Sequence, residues 1–479
     1  MSEPSIIDCD VVVLGTGAAG VMAALAAAQT GAEVCCISKM PDRAPSCTTR
    51  AHGDITWSTE ETADELFRQV VETGGFLNSQ KLVRRFAERI PYTLEALSAL
   101  GIELDDPQPA GDGMPGTVRW SYRGADSGQE LLDVLRGEAT RLGARFMFGL
   151  VATELLAGES GVAGVATISP EARRPAIFRA PQVVLATGGG ACLYPRTDNP
   201  GGTTGDGIVM AYEAGAELVD LELISFGYPP KRVADVLERR KELSEELLGL
   251  GHAHYFLGGV RIDEEGHGSV QGLTAAGEVS GGLFGAGRLG GSALADCFVF
   301  GREAGRAAAI AAERRQAAEL AEDRIDAACR RIEQILRGEH DPAPVAERLR
   351  EIAWRGLGPV KTEASITRAL DELNELAPEL DDLGGADGKS IRGAVEARAM
   401  HTLARLVAMA SLERTETRGC YWRADHPEPD NEIQLGNTIL RKGASGCELT
   451  SQPPVMSELT EPGPPRIGAG CFGYIRRDQ

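Results

Sequence analysis

The chain has 479 residues, 43% hydrophobic and 25% charged, an ordinary globular composition with room for about two to three domains. Its 49 Lys and Arg against 70 Asp and Glu leave a net charge of −21, which argues against nucleic acid or an anionic membrane surface as a partner, because both attract a positive face. No uncharged apolar run reaches the ~18–20 residues of a membrane span, and the start Met-Ser-Glu-Pro lacks the basic and apolar regions of a signal peptide, so a cytoplasmic protein is expected.

Ten cysteines lie scattered and no CxxC occurs, so neither a disulfide framework nor a metal or iron–sulfur ligand set within this chain is expected. Glycine is in excess at 59 residues, about 12% against an average near 7%. The glycines cluster in motifs, which points to a backbone that must approach something closely in several places.

Residues 10–14 (Asp-Val-Val-Val-Leu) read as a short buried strand. The loop Gly15-Thr-Gly-Ala-Ala-Gly20 follows, then an alanine-rich helix over 21–29 and a second strand over 33–38. A GxGxxG loop between strand and helix is the signature of dinucleotide binding. Its glycines let a pyrophosphate reach the main chain, and the helix start offers free N–H groups. The position that usually carries an acid for the ribose is Ser38, followed by Lys39.

Helical spacing recurs over 62–73, 82–100 and 131–142, and residues 144–185 alternate like paired strands. Gly188-Gly-Gly190 breaks the last of these, and a second string, 201–207, enters a helix at 208–215. A third glycine-rich region, 272–291, leads into a helix at 293–312. Polar helices with apolar stripes follow, among them Ile325, Cys329, Ile332 and Leu336, then a turn-rich tail from about Lys442.

In combination these segments resemble the flavoprotein subunit of the succinate dehydrogenase and fumarate reductase family, which includes L-aspartate oxidase and soluble fumarate reductases. Four stretches carry the resemblance: 10–20 with Ile37-Ser-Lys39; 183–189 running through Thr204-Gly-Asp-Gly207 to Asp220; 254–260 with Gly277-Glu278 and 285–292; and Glu416-Thr-Arg-Gly419 to Asp425-His-Pro427. The implied fold is α/β, a Rossmann-like FAD-binding domain with a reduced cap and a C-terminal helical domain. Its boundaries are 1–230 with 252–318 for the discontinuous FAD-binding domain, 231–251 for a vestigial cap segment, 319–441 for the helical domain and 442–479 for an extended tail.

The resemblance implies FAD as cofactor. By position, Gly15, Gly17, Ala18, Ala19 and Gly20 would cradle the pyrophosphate, and Ser38 and Lys39 would lie near the adenosine ribose. Ser46, Thr48, Thr49, His52 and Gly53 would line the flavin, and Ala186, Thr187 and Gly188 the adenine side. Asp206 and Glu278 would bond ribose and ribitol hydroxyls, and Ser292 and Leu294 would meet the isoalloxazine edge. Read from the residues alone, Asp206 serves equally as an N-cap of helix 208–215. Where family members with covalent flavin carry a histidine, this chain has Cys47, so the flavin is expected to be noncovalent.

The substrate site of the family is half kept. His254 and Arg288 match one histidine and one arginine that grip a dicarboxylate and are the catalytic candidates; a core histidine and a structural salt bridge are the alternatives. The other histidine segment, Phe-His-Pro in the family, reads Phe226-Gly227-Tyr228-Pro229. Only about 20 residues separate Pro230 from His252, a helix-like run spanning ~30 Å, too short to rebuild a cap. The proton-donating arginine of the cap is therefore missing, and Tyr255, Tyr122, Arg123 and Lys231 are stand-ins among which nothing in the sequence selects.

The expected function is hydride transfer between flavin N5 and a small or medium carboxylated substrate, by desaturation, its reverse, or amine oxidation, with succinate and fumarate disfavoured. The alternatives are an electron-transfer subunit docked to an iron–sulfur or other redox protein, and a non-catalytic flavin-binding protein. Oligomerisation through the C-terminal helices is compatible with each.

Overall fold

The computed structural model describes residues 4–51, 53–106, 117–121, 128–159, 161–227, 251–314 and 320–462. His52, Tyr122, Arg123, Lys231 and the segment 228–250 lie outside them, as does the tail beyond 462.

The centre is a five-stranded parallel sheet, in the order Leu273–Ala275, Gln182–Leu185, Val11–Leu14, Val34–Ser38, Arg145–Phe148. Its register sets Val12 beside Val183 and Cys35. These strands read as continuous apolar runs because both faces are covered. One cover is helix Ala18–Gln29, buried at every residue from Ala18 to Ala28. A helix with no polar face is sandwiched, and here helix Ser292–Arg314 closes the other side. Gly301 and Gly305 let it sit against Ala19 and Ala23, where an added Cβ would stand 2.7 and 2.1 Å from their carbonyl oxygens. The alanine richness of residues 18–28 is thus a packing requirement as well as a helix preference.

The helices expected at 62–73, 82–100 and 131–142 form as Ala63–Thr73, Gln80–Ala99 and Gly128–Arg141. Residues 145–185 form strands of the central sheet and of a four-stranded sheet with Ser5–Asp8 at its edge. Four helices, Glu322–Arg337, Pro342–Leu357, Glu363–Leu376 and Gly388–Glu413, build the C-terminal helical unit.

The boundary expected between helical domain and tail, at 441/442, falls inside a strand. Asn437–Gly443 and Gly446–Gln452 pair as a hairpin, and the first of them lies beside Leu218–Val219 in a second five-stranded sheet. The reason is a buried charge network that local sequence does not display. Arg414, 2% exposed, donates to Glu222 at 2.7 Å, Glu416 at 3.1 Å and Asp220 at 3.5 Å. Asp220, in the left-handed region at φ 53, accepts from the Asn437 amide and the Thr438 N–H. Arg418 closes the network on Glu416 and the Gly75 carbonyl. Burial, then the neighbouring Glu222 charge, pushes the Asp220 carboxyl up to about 7.

Removing the cation from such a network strands buried carboxylates. Arg414→Met is expected to lower unfolding free energy by about 3–5 kcal/mol in urea titration, with Glu222→Gln in the same chain recovering part of it. A loss under about 1 kcal/mol would show that the network is not what holds the hairpin.

Candidate active site

The glycine strings meet at one open cleft. The loop after strand Val11–Leu14 turns at Gly15, φ 112, where a Cβ would fall 2.1 Å from the Ala186 carbonyl oxygen. Thr48 Oγ1 accepts the Ala18 N–H at 3.0 Å. Thr48 is held by a single helical turn, Cys47–Arg50, that Ser46 and Thr49 close with a reciprocal capping box.

The cleft is lined by Gly15, Gly17, Ala18, Ala19, Ser38, Lys39, Ser46, Thr48, Thr49, Ala186, Thr187, Gly188, Asp206 and Glu278. Gly20 is not in the lining. Its open side faces the Gly15 carbonyl oxygen, 1.9 Å from where a Cβ would stand, so it serves the helix–strand approach. Gly53, Ser292 and Leu294 are also outside the lining, and Ser292 Oγ is paired with Thr56 Oγ1 at 2.8 Å.

Asp206 is not an N-cap. Gly205, at φ 77, holds that position without a side-chain cap, and Asp206 begins the helix. Its carboxylate takes Thr204 Oγ1 at 2.7 Å and Lys39 Nζ at 2.5 Å. Lys39 also meets Glu396 of helix Gly388–Glu413 at 2.9 Å. Burial works against the Lys39 ammonium, but these two carboxylates outweigh it and raise its pKa. The family-like Ser-Lys pair thereby pins the helical unit to the cleft, and Glu396 is a residue the sequence reading missed.

Glu278 accepts the Phe256 N–H at 3.0 Å, and a Cβ on Gly189 would lie 2.1 Å from its Oε1. Burial pushes its carboxyl up to about 7. Asp296, 2% exposed, is likewise pushed up to about 7 by burial, against the nearby positive charge of Arg288 and a hydrogen bond from Tyr255.

His254 and Arg288 come together. Arg288 Nη2 lies 3.2 Å from His254 Nε2, Nη1 donates to the Leu289 carbonyl at 3.0 Å, and the guanidinium sits 4.7 Å over the Tyr255 ring. The Arg288 side chain is buried, and among the described residues nothing accepts from its Nε. On the other side of the imidazole, His254 Nδ1 is 2.7 Å from Asp198 Oδ2, and His252 Nε2 is 3.4 Å from the same oxygen. The reading from sequence missed Asp198 and His252. A usable signal existed for the second, since His252 and His254 are two apart on a strand and so share a face. For Asp198 there was none, because an isolated bridge between Thr197 and Ala253 brings it in.

The cleft walls fit FAD. At the helix after the glycine loop Gly17 offers no side-chain cap and Thr48 Oγ1 takes only the Ala18 N–H, leaving other first-turn N–H groups for a pyrophosphate, and Thr187 Oγ1 is buried without a partner among the described residues. Cys47 is exposed at the cleft, and its Sγ donates to Asn199 Oδ1 at 3.0 Å.

Comparison with known proteins follows the same lines. The family model described as "FAD binding domain" matches residues 10–251 and 250–294, and "Fumarate reductase flavoprotein C-term" matches 346–466. A subunit of the CoM/CoB fumarate reductase from Methanothermobacter marburgensis is 29% identical over 544 aligned positions, covering 92% of this chain and 98% of the relative. An L-aspartate oxidase from Streptomyces coelicolor is 28% identical over 537, covering 91% and 92%. Both alignments exceed the chain's own length, so each relative carries stretches with no counterpart here. Among solved structures, the Escherichia coli quinol fumarate reductase FrdA (E245Q mutation) superposes with a TM-score of 0.84 at 21% identity, covering 96% of this chain and 98% of that one.

Glu278 yields a pH test. Its folded carboxyl titrates near 7 against an ordinary 4.5, so between those values the folded, flavin-free protein binds more protons than the unfolded chain. Stability from this group is complete below about 4.5 and lost as pH rises through about 7. In urea titrations of the flavin-free protein at about pH 5 and pH 8, Glu278→Gln should reduce the fall in stability seen in the parent. An unchanged fall would place the titrating group elsewhere.

Proposed function

The chain belongs to the fumarate reductase and succinate dehydrogenase flavoprotein family and is an FAD-dependent oxidoreductase, and we propose that its substrate is a small or medium carboxylated molecule gripped by Arg288 and His254. FAD, when bound, supplies hydride exchange with a substrate carbon at N5. The observation that carries the reading is Arg288: a buried guanidinium whose Nε finds no acceptor among the described residues. Such a donor costs free energy until a carboxylate takes it, and a forked guanidinium suits a carboxylate better than any other side chain does.

Arg288 also opposes negative charge that develops on the substrate when a proton leaves the carbon next to the reacting one. Tyr255 supports the guanidinium from below, and the buried Glu278 and Asp296 limit the net charge of the pocket. Desaturation of a carbon–carbon bond, its reverse, and oxidation of an amine all use these parts. Succinate and fumarate are disfavoured because Gly227 stands where the family resemblance places a second gripping histidine, and because the segment 231–251 is short for a cap. Alignments of 544 and 537 positions against the 479 residues here support a reduced cap. Cys47, standing where the resemblance places the linking histidine of covalent members, supports a noncovalent flavin.

The relative from Methanothermobacter is named as one subunit of its enzyme, which favours a second reading alongside the first: a redox protein partner that exchanges electrons with the flavin.

Two measurements test the assignment. Anaerobic holoprotein, yellow near 450 nm, should bleach with at least one member of a panel of saturated carboxylic and amino acids, or reoxidise after dithionite with an unsaturated one. Arg288→Gln should keep the colour and raise KM for that compound by roughly 10-fold or more, the loss of a charge-assisted pair. A holoprotein that reacts equally well with uncharged analogues would refute the carboxylate.

A further inference from the structure

The pattern of donors and acceptors around His254 fixes its protons. A guanidinium can only donate, so Nε2, 3.2 Å from Arg288 Nη2, must be the acceptor. An ionised carboxylate can only accept, so Nδ1, 2.7 Å from Asp198 Oδ2, must carry the hydrogen. Asp198 is ionised: burial works against it, yet hydrogen bonds from His252 and His254 lower its pKa. The neutral Nδ1–H form of His254 satisfies both neighbours at once. It presents the Nε2 lone pair toward the guanidinium that would hold the substrate. The same pattern disfavours a metal ion on Asp198, His252 and His254, since a cation at Nδ1 would displace the hydrogen that Asp198 accepts and force one onto Nε2, facing Arg288.

We infer that Asp198 and His254 form an acid–base dyad in which His254 Nε2 exchanges the substrate proton, Asp198 positions the ring, and His252 tunes Asp198 from the solvent side. The inference rests on the proposed function for the identity of the reaction, and it places a proton-transfer group among the described residues. In the oxidative direction FAD, when bound, would take the hydrogen and electron pair of one C–H bond as hydride. The neighbouring C–H bond leaves its pair in the new double bond, and its proton goes to Nε2. The imidazolium so formed keeps its Nδ1–H on Asp198, whose charge stabilises it. The reverse direction returns the same proton. A substrate carboxylate, by drawing the Arg288 guanidinium to itself, would free Nε2 at the moment it is needed.

His252 is the second imidazole on the same carboxylate oxygen, and its ring also fills the space beside Gly227, where a Cβ would stand 2.5 Å from His252 Nε2. Its hydrogen bond withdraws part of the charge that Asp198 offers His254. The other groups facing the dyad are Arg288 from the 285–291 loop, Cys47 and Arg50 from the turn 47–50, and Glu278. Asp296 and Tyr255 stand behind Arg288.

The experiment uses flavin-loaded protein, with colour near 450 nm as the check that each variant folds and loads. In the parent labelled with ¹⁵N-histidine, the His254 resonances should show a neutral ring protonated at Nδ1, and Asp198→Asn should change that proton distribution. A ring protonated at Nε2, or shifts identical in parent and Asp198→Asn, would overturn the dyad, whatever the substrate. With the panel acid that bleaches the flavin, Asp198→Asn should slow reduction by about 100-fold or more. It should also move the acid limb of the rate profile to lower pH by roughly one unit or more, since a stabilising negative charge is gone. His252→Leu should move the same limb the other way. If both variants keep the parent's limb, the dyad is overturned while the oxidoreductase assignment stands. If no acid bleaches the flavin, the substrate assignment falls, and the nitrogen shifts alone decide the dyad.

Discussion

Everything in this molecule is arranged around main chain touching main chain without side chains between. The Gly15 turn presses on the Ala186 carbonyl, Gly20 on the Gly15 carbonyl, and Gly305 on the Ala23 carbonyl, each closer than any Cβ would permit. These contacts lock strand 11–14, strand 182–185, helix 18–29 and helix 292–314 into one block. Leu14, Ala18, Ala19 and Cys297 of that block line the cleft, so this side of it is packed into the core. A preformed cleft holds its cofactor without spending binding energy on ordering the protein. The glycine excess in the composition is the visible trace of this requirement.

Charge is buried in two places, and the two differ in kind. The network of Arg414, Arg418, Asp220, Glu222 and Glu416 is nearly closed, with main-chain carbonyls and amides filling most remaining valences. Such a network fixes how parts of the chain dock. The cluster of Arg288, His254, Glu278 and Asp296 is left open, with an unmatched guanidinium N–H and two carboxyls held near 7. An incomplete buried network is expensive to maintain and points to a ligand. Lys39 lies between these cases: it is fully paired, yet its two acids come from different units of the fold.

Legibility from sequence followed the range of the interaction. The parallel sheet, the alanine-rich helix and the long helices were readable because their patterns are local: apolar runs of four or five residues, a glycine loop, a repeat near 3.6. The glycine strings also announced a close approach, and most of the residues assigned to the cleft line it. Gly20 was assigned to the ligand although its constraint is internal, because GxGxxG does not say which glycine faces which neighbour. The hairpin 437–452 was divided between the helical domain and the tail because its partner strand, Leu218–Val219, lies more than 200 residues earlier. Glu396 and Asp198 were invisible for the same reason: each acquires its role from a residue far away in the chain.

The same distance in sequence explains how a proton-transfer group can be absent from one reading and present in the other. The family resemblance locates proton delivery in a cap, and the short segment 231–251 removes room for it. Strand His252–Phe256 begins where that segment ends, and it places two imidazoles on one face against a carboxylate from the 194–200 loop. A donor on a cap must close over the substrate before each turnover, whereas a donor on a strand is positioned before the substrate arrives. In the proposed dyad, Asp198 and His252 are the elements that hold the His254 ring in place before the substrate arrives.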